Sequence, residues 1–336
     1  MKQRPIHVPI AASIAMVILI LDSPTAISGA RIGIEICLQS VIPSLLPFFV
    51  LSILLTSGLT GRNLPLLRPL SRFTGIPEGS ESILLTGLLG GYPVGAQSVS
   101  AVHAMKILTD AEAGRMMVFC NNAGPAFIFG ITTALLPSPG YTWLLWFILI
   151  FSALLTALIL PGRTNRRIAL PPSNPPTIPQ ALTASLKIMA SVCGWVVVFR
   201  ILLAFLQRWV FWLLPPWLQA LLTGLLELAN GCFALMNVNN IGLRFLLCAG
   251  MLSFGGICVW LQTLSVAGKV NMRQYLPGKL CQSVIAVTLS LLCQKWIPVG
   301  SRLEVPLPVL ALFAAIFVLF VSIRQKSSSI PAKAGV

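Results

Sequence analysis

The sequence predicts an all-α polytopic membrane protein with about eight transmembrane helices and two opposed re-entrant helical hairpins in an inverted-topology repeat. Three observations lead there. The mean hydropathy is +0.90 with 9% charged residues, where soluble domains carry roughly 25% charge. Several runs reach the ~20 apolar residues needed to cross a ~30 Å hydrocarbon core. Finally, two apolar stretches, 84–104 and 218–236, break in the middle, at Gly90-Gly91-Tyr92-Pro93-Val94-Gly95 and at Ala229-Asn230-Gly231. The same five residues, Leu-Thr-Gly-Leu-Leu, precede both breaks, at Leu85–Leu89 and Leu222–Leu226. A matched pair of interrupted apolar segments points to a midplane site in membrane proteins.

The spans predicted in order are 8–28, 37–59, 115–136, 141–161, 184–206, 241–266, 279–299 and 304–323. Lys2 and Arg4 before the apolar run Val8–Leu21 resemble a signal peptide, but without an Ala-x-Ala site the run reads as an uncleaved first helix. The two interrupted segments, 80–106 and 217–238, either cross or return. If both return, the bulk of the basic residues, Arg115, Lys187 and Lys279 among them, fall on the inner side. The outer side then holds only Arg31, Arg208, Arg244, Lys295 and Arg302, which is the positive-inside pattern. Trp143, Trp146, Trp209, Trp212, Trp217 and Trp296 fall at outer ends, where amphipathic rings favour the headgroup layer. The expected organisation is an additional span in 1–34, a first repeat in 35–161, a cytoplasmic Pro-rich linker in 162–180, an inverted second repeat in 181–300, and a final span with a cytoplasmic tail in 301–336.

The net charge of +15 lies in loops between apolar runs, so it speaks for topology and against nucleic-acid binding. Eight cysteines in apolar segments have no ligand spacing, so neither disulfides, a metal nor a cofactor is indicated. No Gly-x-Ser-Gly, His-Glu-x-x-His or phosphate-binding loop is present, and the chain does not read as an enzyme.

The first hairpin's entering arm, Ser80–Leu89, is ten residues or ~15 Å of helix, enough to reach the bilayer middle. Gly91, Pro93 and Gly95 force non-helical backbone there, which is tolerable only if buried or lining a polar cavity. The returning arm, beginning near Gly95-Ala96-Gln97, turns free N–H groups towards the tip, where they attract electron-rich groups. A glycine kink for close packing is the alternative. Asn121 and Asn122 sit one turn before Pro125, which denies the Asn121 carbonyl its helix partner and kinks the span. Their amides suit a heterocycle edge, a carboxylate or a desolvated cation, or else bond across helices. Glu227 lies inside an apolar segment and could bind a coupling cation, carry a proton, or pair with Arg200. Arg200 could equally contact an anionic solute. Ser253-Phe254-Gly255-Gly256 is the second-half counterpart of the Asn121 region by order. The expected solute contacts are Gly91, Tyr92, Pro93, Gly95, Gln97, Asn121, Asn122, Gly124, Pro125, Asn230, Ser253 and Gly255, converging with Glu227 on one cavity between the halves.

Gly90–Ala96 and Phe119-Cys120-Asn121-Asn122-Ala123-Gly124-Pro125-Ala126-Phe127 resemble the sporulation integral membrane protein family (YlbJ-like), whose members carry nucleoside-recognition Gate domains. Ile42–Phe49, Leu226–Gly231 and Ser253–Gly256 extend the resemblance over roughly residues 35–295. Gate domains are distantly similar to concentrative nucleoside transporters with paired re-entrant hairpins. The resemblance implies two Gate-like repeats and a bacterial inner (plasma) membrane location, and the distribution of basic residues puts both termini on the cytoplasmic side. The expected activity is secondary transport of a small nucleoside-like or dipicolinate-like solute, with Na+ or H+ coupling and oligomerisation both open. The alternative is a non-transporting scaffold of a sporulation-related complex.

Overall fold

The computed structural model describes residues 7–62, 64–171 and 175–294, and every regular element within them is helical. The expected span 304–323, Trp296 and the tail lie outside the described residues.

The chain opens differently from the two spans expected at 8–28 and 37–59. Helix α1 (His7–Leu21) stops at Asp22, whose carboxylate accepts from the Thr25 N–H at 3.4 Å and caps α2 (Ser23–Ile36). Through a π-turn at Cys37–Val41, α2 runs on into α3 (Ile42–Leu59), giving 37 continuous helical residues. At ~1.5 Å per residue this is roughly 55 Å, well beyond one bilayer core. The glycines between the expected spans are packing positions: a Cβ on Gly29 would stand 3.0 Å from Ile201 Cα, and one on Gly33 3.0 Å from Val197 Cα. Small residues let backbones approach in this way.

After α4 (Arg68–Thr74) comes a unit that occurs twice. In its first copy α5 (Glu81–Leu89) and α6 (Val94–Ala104) form a hairpin, followed by the interrupted helix α7 (Asp110–Phe119) and α8 (Pro125–Ile131), then the long α9 (Pro139–Ile159). Helix α10 (Ile178–Trp209) is 32 residues long and lies along α2 and α3. The second copy is the hairpin α11 (Pro216–Leu226) and α12 (Leu228–Ala234), the interrupted α13 (Ile241–Phe254) and α14 (Gly256–Ala267), and the long α15 (Tyr275–Gln294). Among the described residues five stretches are long and apolar enough to cross a membrane: Ser23–Leu59, Pro139–Ile159, Ile178–Trp209, Ile241–Ala267 and Tyr275–Cys293. The span expected at 115–136 is instead two short helices separated by non-helical residues 120–124. Pro125 starts a new helix at its first turn, where a missing N–H costs nothing, rather than kinking an old one.

The repeated pentapeptide has a structural job. Gly87 and Gly224, its glycines, are where the hairpin arms cross. Gly87 lies against Gly95, and Gly224 against Gly231, with no room for a Cβ on Gly95 or Gly231. In each copy the crossing also receives the helix about to break, the Cys120 carbonyl in the first and the Met251 side chain in the second.

Around the foot of the first hairpin most buried charges are met: Glu81 Oε2 accepts from the Gly79 N–H at 2.9 Å, while its Oε1 has no hydrogen-bond partner among the described residues. Arg115, expected at the inner end of the span 115–136, is 1% exposed and donates to the carbonyls of Thr74, Gly75, Ala157 and Leu160. It thereby satisfies the carbonyls that α4 and α9 leave open at their C-termini. Glu112 pairs with Arg166 at 2.7 Å, and Glu78 with Arg72 at 2.9 Å and Arg167 at 2.8 Å. Main-chain bonds Glu78 N–H to Arg166 O (2.9 Å) and Ile168 N–H to Glu78 O (2.8 Å) fasten the start of the expected linker to the hairpin's base.

Candidate functional site: a polar seam between two interrupted helices

The first hairpin tip, Gly90 to Pro93, docks on the break between α7 and α8. Tyr92 N–H donates to the Asn122 carbonyl at 2.8 Å, and Gly91 abuts Gly124 so closely that a Cβ there would stand 2.8 Å from the Gly124 nitrogen. The Tyr92–Pro93 peptide is cis. The Tyr92 ring packs near Phe127, with centroids 6.4 Å apart, and lies beside Gly255 of the second break.

From the first break two asparagines reach across to the other half. Asn121, 0% exposed, donates through Nδ2 to Thr263 Oγ1 (2.8 Å) on α14 and to Tyr275 Oη (2.9 Å) on α15. Asn122 Oδ1 accepts from Lys279 Nζ (3.1 Å) and Gln282 Nε2 (2.8 Å), both on α15, while its Nδ2 donates to the Phe119 carbonyl (2.6 Å). Lys279 Nζ donates further to Gln282 Oε1 at 3.0 Å. Each such bond nets about 1 kcal/mol, but leaving any of these buried groups unpaired costs more.

The second hairpin turns at Glu227, not at Ala229-Asn230-Gly231 as the glycine suggests. Glu227 leaves helical geometry at φ −141°, ψ 120°, while Ala229, Asn230 and Gly231 are inside α12. Its carboxylate, on a residue 3% exposed, accepts from Ala229 N–H (3.0 Å), Asn230 N–H (2.6 Å) and Asn230 Nδ2 (2.6 Å). Of the three roles open to Glu227, the pair with Arg200 is not made: Arg200 is half-buried and gives Nη1 to Gln207 on its own helix at 3.0 Å. Two left-handed glycines, Gly255 (φ 90°) and Gly256 (φ 81°), make the second break, and Gly256 sits on the carbonyls that end α11.

Convergence on a single cavity is partial. A cavity of about 460 Å³ opens between the halves, lined by Ile53 of α3, Lys187 and Ser191 of α10, and Gln262 and Ser265 of α14. Of the expected set it includes Pro93 and Gln97; Asn121, Asn122, Glu227 and Asn230 do not line it. Those residues are buried instead in the packed seam, where Tyr92 Oη, Asn121 Oδ1 and Ser253 Oγ have no hydrogen-bond partner among the described residues. Gly95 is spent on the arm crossing, and Gly124 and Pro125 on the break.

Several residues of the seam lie outside the expected set: Lys279, Gln282, Tyr275 and Thr263. Lys279 falls at the first residue of the expected span 279–299, at its inner end. In the structure Pro277 occupies the first turn of α15, where proline is tolerated, and Lys279 enters the protein 1% exposed. A lysine three residues before a glutamine at the mouth of an apolar run is the signal that was available.

Fold and seam define an all-helical integral membrane protein with a twice-used unit of hairpin, interrupted helix and long helix. No family model and no solved structure matches the chain. Over 117 residues, 33% of its length, it is 32% identical to the "Sporulation integral membrane protein YlbJ" of Bacillus subtilis (strain 168). The chain spans 28% of that relative's length in the matched stretch. It is thus similar to a sporulation membrane protein over part of both chains.

Proposed function

We propose that this chain carries a small polar solute across the bacterial plasma membrane, with both termini cytoplasmic, by exchanging access between the two hairpin units. The observation that carries the reading is the pairing, in each half, of a hairpin with an interrupted helix, beside a cavity lined from both halves. Broken helices at membrane depth are costly unless they line a path or a site. In this reading Pro93, Gln97, Lys187 and Gln262 form the entrance, and Tyr92, Asn121, Asn122 and Ser253 are uncovered for the solute as the first tip withdraws. The lone acceptors and donors of that second set suit a ring bearing both kinds of polar group. The solute class is nucleoside-like or an aromatic carboxylate such as dipicolinate, and the likeness to a sporulation protein favours the second. Glu227 is an alternative position for a coupling cation.

The test is uptake of labelled uridine and dipicolinate by proteoliposomes holding the purified full chain. Saturable uptake of either, lowered at least about tenfold in Asn121→Ala, supports the reading, since about 1.4 kcal/mol of lost binding is tenfold. Uptake of neither solute favours the second reading, a membrane scaffold for a sporulation complex, which the name of the relative supports on its own.

A further inference from the structure

Among the described residues of the seam, one buried carboxyl and one buried amine are served very differently. Glu227 has three N–H donors, all from its own hairpin, so its charge is met by groups that move with it. Lys279 has two neutral acceptors, Asn122 Oδ1 and Gln282 Oε1, and the Tyr275 ring 6.0 Å from Nζ. No carboxylate pairs with it among the described residues.

The elements packed against α15 are α7, α9 and α13. The titratable groups they carry are Asp110, Glu112, Arg115 and, at the break, Cys120 from α7, Tyr141 from α9, and Arg244 and Cys248 from α13. Glu112 is held by Arg166, Asp110 by His103, Arg115 by four carbonyls, and Arg244 by the carbonyls of Leu135, Met236 and Val238. Across the seam α14 adds Cys258, and α15 itself carries Tyr275, Cys281 and Cys293. None supplies a free negative charge to an ammonium at position 279.

An isolated ammonium withdrawn from water is far costlier than a hydrogen-bonded neutral amine. A neutral amine retains two N–H donors, enough for the two amide oxygens observed. The acceptor it shares with Gln282, Asn122, belongs to the break on which the first hairpin tip rests. Withdrawing that tip would therefore loosen the amine's cage and admit water to it.

We propose that Lys279 is a proton-binding site coupled to the seam: its amine takes a proton from water when the Asn122 break opens, and returns it to water when the break closes on α15. No co-reactant is needed, because the proton moves between the Nζ lone pair and solvent. The coupling to solute movement rests on the transport reading above; proton exchange at the seam does not.

The two are tested separately. Unfolding midpoints of the detergent-purified full chain would be measured between about pH 6 and pH 9 for the parent, Lys279→Met, Lys279→Arg and, as a control, Lys269→Met at an exposed position. The difference between the parent and Lys279→Met should change by several degrees across that range, and Lys279→Arg, which keeps its charge throughout, should lose the parent's dependence as well. Lys269→Met should follow the parent. A Lys279→Met difference that stays constant with pH, or the same pH dependence in Lys279→Arg as in the parent, overturns the proton site. In proteoliposomes an imposed proton gradient should change parental uridine or dipicolinate uptake, and Lys279→Met should show equal rates with and without the gradient. Uptake insensitive to the gradient overturns the coupling and leaves transport standing. Uptake of neither solute removes the transport reading, and the midpoint series still decides whether Lys279 exchanges a proton.

Discussion

In the first half the interrupted helix is fastened to the opposite half, through Asn121 to Thr263 and Tyr275 and through Asn122 to Lys279 and Gln282. In the second half the hairpin is fastened to itself, through Glu227 on Ala229 and Asn230. The same unit of hairpin, break and long helix therefore has two different polar attachments. Moving the second hairpin as a body leaves its bonds intact, because donors and acceptor travel together. Moving the first break away from α14 and α15 parts a hydrogen-bonded seam whose groups water would have to satisfy. On the transport reading proposed above, the asymmetry makes the first unit the one whose displacement would open the seam.

Removing the internal fastening should have the largest effect. Glu227→Ala deletes a helix cap and strands buried N–H groups, so it should lower unfolding stability by about 2–4 kcal/mol. Glu227→Gln retains an acceptor and should cost roughly half as much. Chemical unfolding in detergent, followed by circular dichroism, reads both. A near-neutral Glu227→Ala would mean that the second hairpin is not held by its own carboxylate.

Next come the arm crossings, which also separate the halves. A Cβ on Gly87 meets backbone atoms of Cys120, whereas one on Gly224 meets the flexible Met251 side chain first. Overpacking of this kind costs about 1–3 kcal/mol, more where nothing can yield. Gly87→Ala should therefore destabilise more than Gly224→Ala, and the reverse order in the same unfolding assay would contradict the crossing geometry.

The seam itself should respond through its neighbours. Asn122→Ala removes the shared acceptor of Lys279 and Gln282, at a cost of about 1–3 kcal/mol. In a double-mutant cycle with Gln282→Ala the two changes should fail to add. Additivity would mean that the two side chains do not share an acceptor.

Much of this plan was legible because it rests on backbone chemistry. The pentapeptide before each break, the Asn121-Asn122 pair ahead of Pro125 and the Gly255-Gly256 pair all mark places where a helix cannot continue or where two chains must touch. What was not legible depended on choosing between two uses of the same residue. Gly231 was read as a turn but serves the arm crossing, so the turn falls on Glu227, which can cap the helix that follows. Gly29 and Gly33 fall between the expected spans 8–28 and 37–59 but are contacts to α10 inside a continuous helix. The span expected from 279 begins instead at Tyr275, which puts Lys279 a turn inside α15 and into the seam. Local sequence carries no term for the partner that decides each case.

The smallest effect lies at the hairpin's base. Arg72 and Arg167 hold the Glu78 carboxyl below the usual carboxylate range. A group depressed in the folded state stabilises above its unfolded value, about 4.3, and that contribution fades as pH falls through the folded value. Glu78→Gln should thus melt slightly below the parent at pH 7 and converge with it in acid. Screening by salt should shrink the gap at pH 7. A gap that persists unchanged in acid would place the ion pairs outside the stability of this region.

The central claim is that the first unit must part from the second half for a solute to pass. Cysteines at positions 97 and 262, on α6 and α14 and both lining the cavity, would be joined by a bifunctional thiol reagent in a background without native cysteines. Uptake of labelled dipicolinate and uridine would be measured in proteoliposomes before joining, after joining, and after cleavage of the reagent. The account predicts uptake that stops on joining and returns on cleavage. Uptake that continues at the same rate with the two halves joined would contradict it.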